Sequence, residues 1–96
     1  MSHLYKVTEW QTESGYWVCN DVEDLGHNSG VWWHPARMLN ITPCSFVEMV
    51  INKFQPDEIV HSDDCSFVGF RWKSQTKMRT YKNWLNAEAR KHQYYI

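Results

Sequence analysis

The sequence predicts an α+β fold in which an antiparallel sheet of four to five strands carries two helices on one face, a two-layer sandwich of order β-β-(β)-α-β-β-α. Short segments of alternating apolar and polar residues occur in pairs around turns, which predicts the hairpins. Two longer segments repeat apolar residues at helical spacing, which predicts the helices. The chain of 96 residues is predicted to be one domain, 1–96, and its 43% of hydrophobic residues is enough for a core.

The first hairpin is predicted at the start of the chain. Residues 4–11 alternate, with Tyr5 and Val7 on one face and Leu4 and Trp10 on the other. A turn at 13–15 leads to a second strand over 16–20.

An irregular segment follows the hairpin. Residues 21–30 are polar and contain two glycines. A short third strand is predicted over 31–33, and His34 is expected to be extended because it precedes Pro35.

The first helix is predicted to begin at Thr42, whose hydroxyl can cap it, with Pro43 at the first helical position. Pro56 ends it. Apolar residues on one predicted buried face are Phe46, Val47, Val50, Ile51 and Phe54.

A second hairpin and a second helix complete the order. Strands are predicted over 58–61 and 65–72, around a turn at 62–64, with Val68, Phe70 and Trp72 on one face. Ser74 or Thr76 caps a helix that runs to about His92. Its core stripe is predicted to be Met78, Tyr81, Leu85, Ala89 and His92, flanked by Trp84.

Composition excludes several classes of protein. No apolar run could span a bilayer, and MSHLYKVTEW has no apolar segment typical of a secretory signal. Three cysteines without a CxxC pair do not form a disulfide framework, so we expect a reducing cytoplasm. Cys19 and Cys44 are expected to be small buried groups.

The sequence predicts neither an enzyme, a metal site nor a cofactor. Cys65 with His61 and Asp64 would be the nucleophilic candidates, but their acidic loop would raise the pKa of the thiol. No pair of cysteines and histidines has zinc-finger spacing, and no phosphate-binding or nucleophile motif is present.

Charge is divided along the chain. Residues 1–70 carry three basic and ten acidic residues, whereas residues 71–96 carry seven basic residues and one acidic residue. Such an asymmetry indicates a charged partner, or else an acidic part that packs against the basic part.

The second helix carries a polar stripe opposite its predicted core face. Arginine offers a planar fork of donors and asparagine both a donor and an acceptor, which suits phosphates, base edges or carboxylates. A solvated helix face is the alternative. This C-terminal helix, predicted from Ser74 or Thr76 to about His92, is called α3 throughout, and the stripe with its neighbouring lysine is called the α3 ridge. The α3 ridge comprises Arg79, Lys82, Asn83, Asn86 and Arg90.

Six tryptophans are difficult to bury completely in a chain of this size. Trp32 and Trp33 are adjacent, so in an extended segment they face opposite sides and at least one is expected at the surface. Exposed tryptophan beside arginine is typical of protein-binding hot spots and of single-stranded nucleic-acid binding, and an aromatic core on both faces is the alternative.

Two segments of the sequence resemble a group of known proteins. Trp33-His34-Pro35-Ala36-Arg37-Met38-Leu39, with Thr42, Phe46 and Phe54, resembles a pattern in small proteins of phages and mobile elements of Gram-positive bacteria, as does the region of Phe70-Arg71-Trp72 and residues 81–91. The resemblance covers about residues 31–92. It implies a mobile-element context, in which small single-domain proteins often bind and disable a host machine, CRISPR nucleases included, and it implies no catalytic residue.

Two functions are compatible with the sequence. The leading hypothesis is a non-enzymatic module that binds a host protein or protein–nucleic acid complex and inhibits it, with the α3 ridge, Trp32 and Trp33 as the contact. The alternative is direct DNA or RNA binding through the α3 ridge.

A homodimer is compatible with the spare tryptophans and the apolar tail. The acidic residues that could occupy a basic nucleic-acid channel are Glu9, Glu13, Asp21, Glu23, Asp24, Asp57, Asp63 and Asp64.

Overall fold

Seven helices and strands are observed in the computed structural model, which describes residues 3–21, 33–61 and 68–95. Their order is β1 (Val7–Gln11), β2 (Trp17–Asp21), α1 (Trp33–Leu39), α2 (Pro43–Phe54), β3 (Glu58–His61), β4 (Val68–Arg71) and α3 (Gln75–His92). The class is α+β, as predicted, and the radius of gyration of 12.5 Å is that of a compact chain of this length.

The first hairpin forms where alternation predicts it. β1 pairs antiparallel with β2, from Val7 opposite Asp21 to Gln11 opposite Trp17. Gly15 lies in the turn with a φ of 89°, a conformation that glycine adopts without the steric cost of a side chain. Leu4 lies outside the strand and forms an isolated bridge with Tyr95, so the two ends of the chain meet.

The described strands form two separate two-stranded sheets, β1–β2 and β3–β4, and the predicted single sheet of four to five strands is wrong. One bridge, between Trp17 and Trp72, joins the two hairpins. The Trp72 ring lies in the core, where its Nε1 donates to the carbonyl of Phe54 at 2.9 Å. Beyond Trp72 the strand cannot continue the pairing, because Ser74 caps α3 and the helix begins at Gln75.

The predicted third strand is also wrong at Trp33, which begins α1, while residues 31 and 32 lie outside the described part of the chain. There are accordingly three described helices instead of two. Pro35 lies in the first turn of α1, where backbone N–H groups have no intrahelical acceptor. The N–H that proline lacks therefore costs the helix no hydrogen bond. Ala36 and Met38 are buried.

Helices α2 and α3 begin at the predicted caps. The Thr42 hydroxyl accepts from the N–H of Ser45 at 3.1 Å, and the Ser74 hydroxyl accepts from the N–H of Lys77 at 3.3 Å. Both helices end in a left-handed residue, Gln55 after α2 and Gln93 after α3.

An aromatic core lies between the helices and the hairpins. Trp72 stacks on Tyr81 at 5.1 Å between ring centroids, and Phe70 packs on both rings. The predicted stripe of α3 is buried at Met78, Tyr81, Leu85 and Ala89. The prediction is wrong for His92, which is exposed and contacts Glu88 one turn earlier at 3.2 Å. Cys44 is likewise exposed, whereas Cys19 is buried as predicted.

Candidate functional site

Helix α3 contacts β1 through a cluster of polar side chains centred on Glu9. The carboxylate accepts from Arg79 in a two-pronged contact, Nη2 to Oε1 at 2.8 Å and Nε to Oε2 at 3.1 Å. The Nζ of Lys82 donates to Oε2 at 2.6 Å. Gln75 adds a longer contact of 3.4 Å. We call Glu9, Gln75, Arg79 and Lys82 the Glu9 cluster.

Two cations determine the ionisation of this carboxylate. Hydrogen bonds from Arg79 and then Lys82 lower the pKa of Glu9 to about 2, against the opposing effect of its partial burial. The same contact raises the pKa of Arg79. A carboxylate with so low a pKa stays ionised at neutral pH and is a weak general base, so the Glu9 cluster is suited to holding β1 on α3.

The side chain of Asn86 binds the backbone of the same strand, β1. Its Oδ1 accepts from the N–H of Val7 at 2.9 Å, and its Nδ2 donates to the carbonyl of Val7 at 3.3 Å. The side-chain amide therefore occupies the place that a neighbouring strand would take beside Val7. This explains an asparagine in a helix, where alanine would have the better intrinsic propensity.

The structure divides the α3 ridge. Arg79, Lys82 and Asn86 are bonded to β1. Asn83 and Arg90 are exposed and bond with none of the residues that the structure describes. They lie seven residues apart on the outward face, a separation of about 10 Å along the axis. Ala87, which is also exposed, lies between them.

The predicted tryptophan pair falls mostly outside the described residues. Trp32 is not described, and of Trp33 only the backbone at the start of α1 is described. Sequence reasoning missed Trp10 as a surface residue, although it is 52% exposed. The alternation of β1 contains the signal, because Trp10 lies on the face opposite to the buried Val7.

The expected acidic surface is partly used within the fold. Glu9 is bonded to α3, and Asp57 Oδ2 accepts from the N–H of Lys73 at 2.8 Å. Glu13 is exposed. The remaining members, Glu23, Asp24, Asp63 and Asp64, and the side chain of Asp21, lie outside the described part.

The buried thiol of Cys19 is poorly suited to nucleophilic chemistry. Burial raises the pKa of Cys19 to about 12, and its Sγ lies 3.2 Å from the sulfur of Met78. Cys65 and Asp64 lie outside the described residues, as does the side chain of His61. Within residues 3–21, 33–61 and 68–95 no three acidic, histidine or cysteine side chains are grouped as metal ligands would be.

Comparisons with known proteins return no matching family model, no matching curated protein and no matching solved structure. Among the helices described, none combines the length and the apolar character needed to cross a membrane. A function is therefore inferred from the surface residues of α3 and β1.

Proposed function

We infer that the protein is a small non-enzymatic binding module that attaches to a protein partner through the outward face of the C-terminal half of α3. The observation that carries this proposal is that Asn83 and Arg90 are exposed without a partner among the described residues, while the rest of the α3 ridge is bonded to β1. Ala87 between them leaves room for a partner to approach the helix closely.

The chemistry of this face favours an acidic or carbonyl-rich partner surface. Arg90 and the adjacent Lys91 provide positive charge in the last turn, and Asn83 provides both a donor and an acceptor. The resemblance of residues 31–92 to proteins of phages and mobile elements supports a partner within a host nucleic-acid-handling complex, which binding would inhibit.

Direct nucleic-acid binding is the weaker candidate. Of the five residues in the α3 ridge, Arg79, Lys82 and Asn86 are engaged by β1, which leaves few groups for phosphates. The sequence pI of about 6.5 also lies below the value of about 9 that is typical of nucleic-acid-binding domains.

The test compares proteins retained from an extract of Gram-positive bacteria by the immobilised wild type, by an Asn83→Ala/Arg90→Ala double variant and by Lys77→Ala. Lys77 is exposed on another side of α3, and Lys77→Ala removes one positive charge, as Arg90→Ala does. We expect a protein retained by the wild type and by Lys77→Ala to be lost from the double variant. Equal retention by all three would contradict the proposed face.

Fluorescence polarisation with labelled single- and double-stranded DNA and RNA tests the alternative. At about 50 mM salt we expect no binding, since phosphate binders are strongest at low salt. Binding that weakens steeply as salt increases, and that the double variant lacks, would establish the nucleic-acid function in place of the protein-binding one.

A further inference from the structure

The outer edge of the first hairpin is occupied by the chain at one end, and at the other end no residue within 3–21, 33–61 and 68–95 pairs with it. Tyr5 donates its backbone N–H to the carbonyl of Tyr94 at 2.9 Å, and the Asn86 amide binds Val7. Further along the same edge, no described residue pairs with the backbone of Glu9 or of Gln11.

The register shows which backbone groups point outward. Both groups of Val7 are bonded to Asn86, so Val7 and Asp21 are a pair without mutual hydrogen bonds. Bonded and non-bonded pairs alternate in an antiparallel ladder. The N–H and C=O groups of Glu9 and Gln11 therefore point away from β2.

The other strand of the hairpin confirms this alternation. Trp17, the residue opposite Gln11, exchanges both backbone hydrogen bonds with Trp72, outside the hairpin. Trp17 and Gln11 are thus a non-bonded pair, as the register from Val7 requires.

We propose that this open edge binds a second copy of the same chain, β1 against β1 in antiparallel orientation, about a two-fold axis at Trp10. Glu9 of each copy then lies opposite Gln11 of the other. Every outward backbone group of Glu9 and Gln11 is bonded in this register. The contact is isologous, because the same surface is used by both copies.

Neighbouring registers leave outward groups unpaired. An axis at Glu9 would place Gln11 opposite Val7 of the second copy, where the Asn86 amide already lies. An axis at Gln11 would place Glu9 opposite Glu13, which belongs to the hairpin turn. The axis at Trp10 pairs the outward groups of both Glu9 and Gln11, and it places Glu13 of the turn, beyond the end of β1, opposite Val7 and its Asn86 amide.

Side chains on the open edge agree with this register. Trp10 faces away from α3 and is 52% exposed, and in the non-bonded position its Cα would lie about 4.5 Å from that of the second Trp10. Aromatic pairs at such positions stabilise antiparallel sheets. Glu9 lies opposite a neutral glutamine, and its own charge is already compensated by Arg79 and Lys82.

Sedimentation of the intact chain from about 10 µM to about 1 mM tests the proposal, because a contact as small as this one belongs to the weak class. We expect the wild type to approach twice its mass of 11.5 kDa as the concentration increases. Trp10→Ser should weaken association by about tenfold or more. Thr8 is exposed on the same face of β1 as Trp10 but lies outside the segment of Glu9 to Gln11 that pairs. Thr8→Ala should therefore associate as the wild type does.

A backbone variant probes the hydrogen bonds themselves. Gln11→Pro removes an outward N–H but no bond to β2, and proline is tolerated on an edge strand, so we expect a folded monomer. Circular dichroism checks that it folds, and Trp10→Ser decides the question if it does not. A wild type that stays monomeric throughout, or a Trp10→Ser variant that associates as strongly as the wild type, would overturn the proposal. Both outcomes are independent of the partner-binding face of α3.

Discussion

Glu9 is a single carboxylate whose ionisation is coupled to the fold. Arg79 and Lys82 of α3 hold its pKa at about 2, below the ordinary value of 4.5. A carboxylate with a lowered pKa contributes stability that is present above its ordinary pKa, and this contribution is lost as the pH falls toward the folded-state value. Acid should therefore loosen the contact between β1 and α3.

The pH dependence of unfolding checks this coupling. We expect the free energy of unfolding of the wild type to fall between pH 4.5 and about pH 2, and Glu9→Gln to lose less over that range because its contribution is already absent. Urea denaturation at several pH values measures it. Glu13→Gln removes the same charge from the same hairpin away from Arg79, so it serves as the control. A Glu9→Gln variant with the wild-type acid profile would contradict the coupling.

Sequence reasoning could identify the residue types of the α3 ridge but not their partners. Val7 and Asn86 are 79 positions apart in the chain, and Glu9 is 70 positions from Arg79. Periodicity places Asn83 and Asn86 on one side of the helix, yet only the fold brings β1 beside Asn86 and leaves Asn83 exposed. Helix spacing alone cannot distinguish a residue that binds a neighbouring strand from one that faces solvent.

At the scale of the elements, the helices and strands that were predicted correctly are those indicated by residues close together in the sequence. Helices α2 and α3 begin at the predicted residues because the caps and the apolar spacing lie within a few positions of each other. The prediction failed for α1, where Pro35 indicated an extended segment although it lies in the first helical turn. It also failed for the sheet, because the contact of Trp17 with Trp72 ends after one bridge.

The cap of α3 gives a prediction at this scale. Both Ser74 and Thr76 are candidates in the sequence, and the structure assigns the cap to Ser74, whose hydroxyl accepts from Lys77. Ser74→Ala should lower the free energy of unfolding by about 1 kcal/mol. Thr76→Ala, inside the first turn, should leave it unchanged or raise it by a few tenths of a kcal/mol. Thermal or urea denaturation measures both, and an equal loss in the two variants would refute the assignment.

Over the whole molecule, the acidic and basic parts of the chain meet in ion pairs at the surface of the fold. Glu9 binds Arg79 and Lys82, and Glu58 contacts Arg71 at 3.2 Å across the second hairpin. The charge division seen in the sequence thus serves folding in part, as one of its two interpretations predicted. The positive charge of Arg90 and Lys91 remains at the end of α3.

Helix α3 divides into residues that hold β1 and residues that bond with no described residue, and the proposed function depends on this division. Asn86→Ala and Asn83→Ala test it directly, because both replace asparagine by alanine on the same helix and share the same change in intrinsic helix propensity. Only Asn86 is bonded to Val7. Urea denaturation should show Asn86→Ala less stable than Asn83→Ala by about 1–2 kcal/mol, the effect of losing both hydrogen bonds. Equal stability of the two variants would contradict the claim.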